Sequence, residues 1–461
     1  MSILARFNAE MKRRLVRLHG AVLMSHGEVI DEVYNPPYTA DSRTRMYSSS
    51  KSVAAVAIGK LVKEGKLSLD DRIVDIFADR FDMSAAPERL KEQTIRHMLT
   101  MTTAYAVPTY GTKNKDWLAS YFRGTQTHYP DTIWNYDSCG SYVLGAVTKH
   151  LTGLDFVEYL RPEFDVMGVN EGVYCLKGPD GEAWASSGFI AATSDLARIA
   201  YMLLCGGTWN GQQLIDADFA RDAIKPLVRN DDGAEISRFL CGYGYQIWSH
   251  PDGGFAFHGL GGQVAIGFPG RDLVFACNAD TACNKTTSDD IFNAVEQIIL
   301  PEFPVTDRAA YEAAQPVPVT RNVFDAIRDR AFRLEPNPMK IEKIRFTGDG
   351  DTVQLHYLRG GEETCIEFTV GRESIIVFPE KYNGSPLFDP DHTMNYTCSV
   401  IGEWIGERKL RVRVWAEDLY VGNMTMCFAF REDGKISVKM GKNAQFYFDD
   451  FSGIACGVME A

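Results

Sequence analysis

The chain has 461 residues, more than one ordinary core accommodates, so two domains are expected. Apolar residues make up 45% and charged residues 24%, a globular rather than a disordered balance. The net charge of −13 argues against a nucleic-acid partner and against docking on anionic lipid, because both need a basic surface.

The opening, MSILARFNAEMKRRLVRLHG, mixes apolar and basic residues and has no cleavage-site pattern. It does not read as a secretory signal, and no later stretch is apolar for long enough to span a bilayer. The ten cysteines run from Cys139 to Cys456 without a C-x-x-C, mostly in apolar contexts. They read as reduced core residues, and the chain as a cytoplasmic protein.

Residues 20–34, GAVLMSHGEVIDEVY, read as a hairpin turning at His26-Gly27. A helix follows from near Ser48, with Val53, Val56, Ala57, Leu61 and Val62 close to the 3.6-residue period and Gly65 as its stop. Residues 85–225 look mostly helical. The clearest case is SDLARIAYMLLCGG (194–207), with Ser194 as N-cap and the glycine pair as stop. From 243 to 280 the pattern turns to strands, with Pro269-Gly270-Arg271 as a turn between FAFHGLGGQVAIGF and DLVFACNAD.

The proline-rich stretch near 301–320 marks a linker. The expected division is a first domain at 1–305, a linker at 306–336 and a β-rich domain at 337–461. In the last, KLRVRVW (409–415) alternates cleanly and TMCFAFREDGKISVKM (425–440) forms a hairpin around Asp433-Gly434. Short, evenly spaced strands suggest a small antiparallel barrel or sandwich.

The stretch MYSSSKSVAAVAIGKLVKEGKLSLDD (46–71) places Ser48 and Lys51 three apart at a helix start, hence on one face. A serine hydroxyl is a weak nucleophile until a base takes its proton, and the helix N-terminus favours a developing anion. A lysine serves as that base only where burial favours its neutral form. Alone the pair means little, since chance gives about two Ser-x-x-Lys matches in a chain of this length. Two further elements follow in order: WNYDSCGSYVLGAV, with Tyr136 and Ser138 two apart before an apolar helix, and FHGLGG, a glycine-rich strand.

This order resembles the Ser-x-x-Lys, Tyr-x-Asn and Lys-Thr-Gly set of penicillin-recognising serine enzymes. The surroundings of Ser48, with TIRHMLTMTT (94–103), SSGFIAATSDLARIAYMLLCGGTWNGQQLI (186–215) and GYGYQIW (242–248), are similar to the class C β-lactamase-related serine hydrolases over about residues 20–290. That group includes D-aminopeptidases, D-amino-acid amidases and esterases. The resemblance implies an α+β β-lactamase/transpeptidase-like fold, an antiparallel sheet flanked by helices with a helical subdomain. The C-terminal part looks, more weakly, like the lipocalin-like β-barrels appended to some members; it would cover the site's mouth or serve dimerisation, and a homo-oligomer is left open.

By the same resemblance Ser48 is the acylated nucleophile, Lys51 its base, and Tyr136 shares proton transfer. Ser138 stands where Asn is usual, and Asp137 between them reads as solvated. In the third motif, aligning Gly259 with the motif glycine puts Phe257 at the lysine position and His258 at the threonine position; the alternative puts His258 at the lysine position. The oxyanion hole would come from the N–H groups of Ser48 and Leu260, each worth about 3 kcal/mol. His258 would act in catalysis or substrate binding.

A missing motif lysine removes a cation for a substrate carboxylate, which argues for an amidase, peptidase or esterase acting on a small molecule or short peptide rather than a β-lactamase. The other reading is a non-catalytic binding or assembly protein on the same fold. No His-Glu-x-x-His, Gly-x-Ser-x-Gly, Walker or dinucleotide pattern occurs, so no metal and no organic cofactor are expected.

Overall fold

The computed structural model describes residues 1–111, 113–230, 241–281, 288–315, 319–383, 393–418 and 420–460. Helix α1 (Ile3–Arg13) leads into the hairpin of β1 (Arg17–Ser25) and β2 (Glu28–Tyr34). His26 and Gly27 both have positive φ, 52° and 77°, the geometry that a two-residue hairpin turn requires. Strands β3 (Trp248–His250), β4 (Gly254–Gly259), β5 (Gln263–Phe268) and β6 (Leu273–Asp280) complete a six-stranded antiparallel sheet in the order β2-β1-β6-β5-β4-β3.

Side chains alternate along these strands, so the sheet has two apolar faces. Phe255, Phe257, Ala265, Val274 and Ala276 pack on one core with α2 (Ser49–Lys63). Ala256, Val264, Ile266, Phe275 and Cys277 pack on another with α1 and the short helix Asp289–Ala294. Helix α2 is buried from Ser49 to Leu61. It is therefore a central helix rather than an amphipathic one, and the periodicity read from its sequence understates its burial. It stops at Glu64, followed by Gly65 at φ 64° with Lys66 N–H bonded back to Leu61, a left-handed C-terminal cap.

The helical layer includes α3 (Ser138–Thr152) and α4 (Thr193–Leu204). Helix α4 begins one residue before the expected cap. Ser194 lies inside it, and Asp195 bonds the N–H of Ala192 instead. The nine described cysteines are free thiols, six of them buried and Cys205 exposed; Cys283 lies outside the described residues. Among the described residues no helix is long and apolar enough to cross a membrane.

A short helix, Arg308–Ala313, lies against the Pro269–Arg271 turn, with Thr306 and Asp307 N–H groups on Gly270 O. The second sheet has ten antiparallel strands, from Ala331–Leu334 to Gly453–Met459. The strand Glu362–Thr369 ends near Gly402 of Thr397–Gly406, through a bridge from Val370, so the sheet nearly closes into a barrel. Lys409–Ala416 buries Leu410, Val412 and Val414 in alternation, as its sequence indicates.

Candidate active site

The site begins where the chain enters α2. Tyr47 has φ 46°, a conformation that costs a non-glycine residue about 1–3 kcal/mol unless its surroundings hold it. They do: Met46 N–H bonds Phe189 O at 2.8 Å, and the Arg45 guanidinium lies 4.5 Å from the Tyr47 ring centroid. Ser48 stands at the N-cap position, yet its hydroxyl makes no capping bond. Instead it accepts from Lys51 Nζ at 3.1 Å.

The neighbouring serines are otherwise engaged. Ser49 Oγ donates to Gln263 O at 2.7 Å, Ser50 Oγ accepts from Phe189 N–H at 3.0 Å, and Ser52 Oγ donates to Gln246 O at 2.7 Å. These bonds tie the first turn of α2 to β5, to the strand Phe189–Ala191 and to the Gln246 loop. The hydroxyl of Ser48 is the one of the four that faces the lysine.

Lys51 is 2% exposed. Its Nζ also donates to Ser186 O at 2.7 Å and lies 4.9 Å from the centroid of the Tyr136 ring. Ser186 escaped residue-by-residue reading because its contribution is a backbone carbonyl, which no side-chain motif encodes. It does lie within the 186–215 stretch that carries the family resemblance. Arg45 bonds Ser187 O and Oγ at 2.9 and 2.8 Å, and the Tyr110 hydroxyl lies 3.2 Å from Ser186 Oγ.

Tyr136 stacks on Trp248 of β3, with ring centroids 5.4 Å apart and 23° between planes. Trp134 and Tyr243 meet Trp248 edge-on at 5.6 and 5.0 Å. Asp137 corrects an expectation. It is 5% exposed rather than solvated, and it caps α3 by accepting from the N–H groups of Cys139 and Gly140, each at 2.9 Å, and from Thr103 Oγ1 at 2.9 Å. Burial raises its pKa against these donors. Ser138 opens α3, and its carbonyl accepts from the Tyr110 hydroxyl at 3.4 Å.

Gln246 joins the two helices. Its backbone carbonyl takes the Ser52 hydroxyl of α2, its Oε1 takes the Ser141 hydroxyl of α3 at 2.6 Å, and its Nε2 donates to Met98 O at 2.7 Å. The stretch 242–248 therefore fixes the helix bearing Lys51 against the helix that follows Tyr136.

In β4, Phe257 is fully buried on the face that meets α2. His258, one residue on, turns to the other face. Its Nε2 lies 3.0 Å from Ser288 Oγ and its ring packs on Phe292, so the alternation of the strand carries it away from Ser48. Burial pushes its pKa down to about 4. Of the two alignments, the one with Phe257 at the lysine position fits the side of the sheet facing α2.

Gly259 backs onto the entry to α2: a Cβ there would sit 2.2 Å from Met46 O. Leu260, 71% exposed, follows at the strand's end. Among the described residues, the N–H groups of Ser48 and Leu260 donate to no protein acceptor.

One further polar group was not expected from sequence. His250, Asp252 and Glu296 bring ligand atoms within 4.8 Å of one another. His250 Nδ1 already accepts from Asp252 N–H at 3.3 Å, and Arg271 lines the cleft beside the two carboxylates. A cleft of about 1060 Å³ lies at the junction with the barrel, lined in part by Glu92, Pro130, Arg321 and Arg431, apart from Ser48 and Lys51.

A buried helix with Ser48-x-x-Lys51 at its start, set on an antiparallel sheet whose glycine strand meets that start, defines the β-lactamase/transpeptidase-like fold. The beta-lactamase family model matches residues 13–286, and the chain belongs to that family. It is 21% identical over 292 residues to a 6-aminohexanoate-dimer hydrolase from Paenarthrobacter ureafaciens, covering 58% of this chain and 71% of that protein. The octameric penicillin-binding protein homologue from Pyrococcus abyssi superposes over 98% of this chain and 99% of its own, with a TM-score of 0.51 and 16% identity. A penicillin-binding protein homologue from Caulobacter crescentus covers 61% of this chain and 92% of its own, with a TM-score of 0.51 and 17% identity. At these identities the solved structures speak for the fold alone.

Proposed function

We propose that the protein is a serine hydrolase that cleaves an amide or ester bond of a small molecule or short peptide through an acyl-enzyme on Ser48. The observation that carries this reading is the 3.1 Å contact between Lys51 Nζ and Ser48 Oγ. Lys51 takes the Ser48 proton as the hydroxyl oxygen attacks the carbonyl carbon. The tetrahedral oxyanion is held by the N–H groups of Ser48 and Leu260. Tyr136, beside Lys51, passes the proton to the leaving amine or alcohol. Water then attacks the acyl-serine with the same groups acting in reverse, releasing the acid and restoring Ser48.

The buried Phe257 supports a substrate without a carboxylate at that subsite, because it offers no cation where the family motif carries lysine. The similarity to a 6-aminohexanoate-dimer hydrolase from Paenarthrobacter ureafaciens supports an amide in first place, since two amino acids join head to tail through an amide. A fluorophosphonate probe tests the mechanism: one adduct on Ser48, abolished in Ser48→Ala. No adduct on the folded wild-type chain would leave a binding protein on this fold as the reading. A panel of nitrophenyl esters, aminoacyl amides and nitrocefin then ranks the bond types, and fast nitrocefin turnover would overturn the argument from Phe257.

A further inference from the structure

The barrel touches the first domain at one segment in particular. Ser437, fully buried on the strand Lys435–Ala444, accepts from Tyr129 N–H at 3.2 Å, and its Oγ lies 2.9 Å from Thr132 Oγ1. Thr132 Oγ1 also donates to Tyr129 O, so the three residues close a small ring of hydrogen bonds across the junction. Cys456 Sγ donates to Thr127 O at 3.5 Å from the neighbouring strand. Around this ring, Glu92 accepts from Arg431 at 2.5 Å and from Lys435 at 2.7 Å, and the Tyr129 ring faces Arg89, Lys435 and Arg431 at 4.7, 5.3 and 5.6 Å.

The clamped segment is the approach to Tyr136, four residues beyond Thr132. On its other side the first domain holds it by backbone bonds, Thr127 to Ala104 at 2.8 Å, Asp131 to Thr102 at 3.0 Å and Asn135 to Met101 at 2.9 Å, by the Asn135 side chain donating to Tyr105 O at 3.1 Å, and by the packing of Trp134 and Tyr136 on Trp248. Asp131 sits at φ 63°, a conformation its neighbours must maintain. A loop fixed on one edge by its own domain and on the other by buried side-chain bonds from the barrel has its position set by both.

We propose that the barrel is a positioning element of the active site, and that Ser437, acting through Tyr129 and Thr132, is the positioning residue that sets Tyr136. This rests on the reading of Tyr136 as the group that passes the proton. A serine on a remote domain then governs the chemical step without touching substrate. Small displacements of a reacting group are costly: about 1 Å can lose on the order of 10²-fold in rate.

The test uses the full chain and a fluorophosphonate probe, with labelling resolved into a binding constant and a maximal rate of inactivation. Ser437→Ala should lower the maximal rate roughly 10-fold with the binding constant unchanged, and should speed amide hydrogen exchange over 129–136. Thr132→Val should do the same, Thr132→Ser should keep the wild-type rate, and Ser437→Ala with Thr132→Val should be no worse than either alone, since both remove one ring.

Should Ser437→Ala fold poorly, the Thr132→Val and Thr132→Ser pair decides alone. Wild-type labelling rates and exchange in folded Ser437→Ala, or a loss confined to the binding constant, would overturn the proposal. If the wild-type chain does not label, the hydrolase reading falls separately, and exchange over 129–136 alone decides whether the barrel holds the loop.

Discussion

Lys51 Nζ reaches Ser48 Oγ at 3.1 Å while its second bond, 2.7 Å to Ser186 O, anchors it from across the helical layer. The contact joins two residues one helical turn apart. The anchor comes from a residue 135 positions away and aims the amine at the hydroxyl.

Ser48→Ala should abolish probe labelling and hydrolysis with little change in thermal stability, because Ser48 Oγ makes no capping bond. Lys51→Ala should lower the rate by about 10²–10⁴-fold, the range for losing a general base. Ser49→Ala should instead keep the adduct and cost roughly 1 kcal/mol of stability, since it leaves a buried carbonyl without its hydroxyl donor. Mass spectrometry of the labelled peptide and a urea titration check all three; an adduct on Ser49 or Ser50 would contradict the assignment.

Tyr136→Phe should keep the ring stacked on Trp248 and so keep the fold, while the maximal labelling rate falls by about 10²-fold or more. Tyr136→Ala should lose stability as well, since the stack with Trp248 goes with the ring. Equal rates for wild type and Tyr136→Phe would remove Tyr136 from proton transfer.

Gly259→Ala should cost on the order of 1–3 kcal/mol and slow labelling, because the added methyl meets Met46 O at 2.2 Å and pushes on the turn that presents Ser48. A thermal melt beside the labelling rate is the check. A variant with wild-type melting and labelling would show that β4 does not press on the entry to α2.

Stability should fall in mild acid through His128. This ring is fully buried, and burial, helped by Lys439, Lys409 and Arg89, pushes its pKa down to about 3. The unfolded chain protonates His128 near pH 6.5. Between these values the unfolded state binds more protons, so stability is complete above about pH 6.5 and declines as pH falls toward 3, by at most about 1.4 kcal/mol per pH unit for this one group. Urea midpoints from pH 7.5 to 4.5 should therefore drop, and drop less steeply in His128→Gln. Identical slopes for the two proteins would assign the acid sensitivity to other groups.

Much of the site was legible because helices impose local geometry. Ser48 and Lys51 three apart must share a face, and the hairpins at His26-Gly27 and Asp433-Gly434 follow from turn residues between apolar runs. His258 shows the limit. Its identity suggested chemistry, but a strand alternates its side chains, and which parity faces α2 depends on how the sheet is packed. Asp137 read as solvated because a carboxylate usually is; a helix start and Thr103, 34 residues earlier, supply the donors that pay its burial.

The sequence by itself determined the Ser48-Lys51 spacing, the C-terminal hairpin at Asp433-Gly434 and the absence of a lysine just before Gly259, since each depends on residue type and short spacing; the antiparallel first sheet followed from the family resemblance, and the packing of β4 chose Phe257 over His258. Only the tertiary structure decided that Ser186 lends a carbonyl, that Gly259 presses on Met46, and that Ser437 grips the segment leading to Tyr136. Those contacts join residues some 135 to 308 positions apart. Packing sets them, and no local periodicity records it.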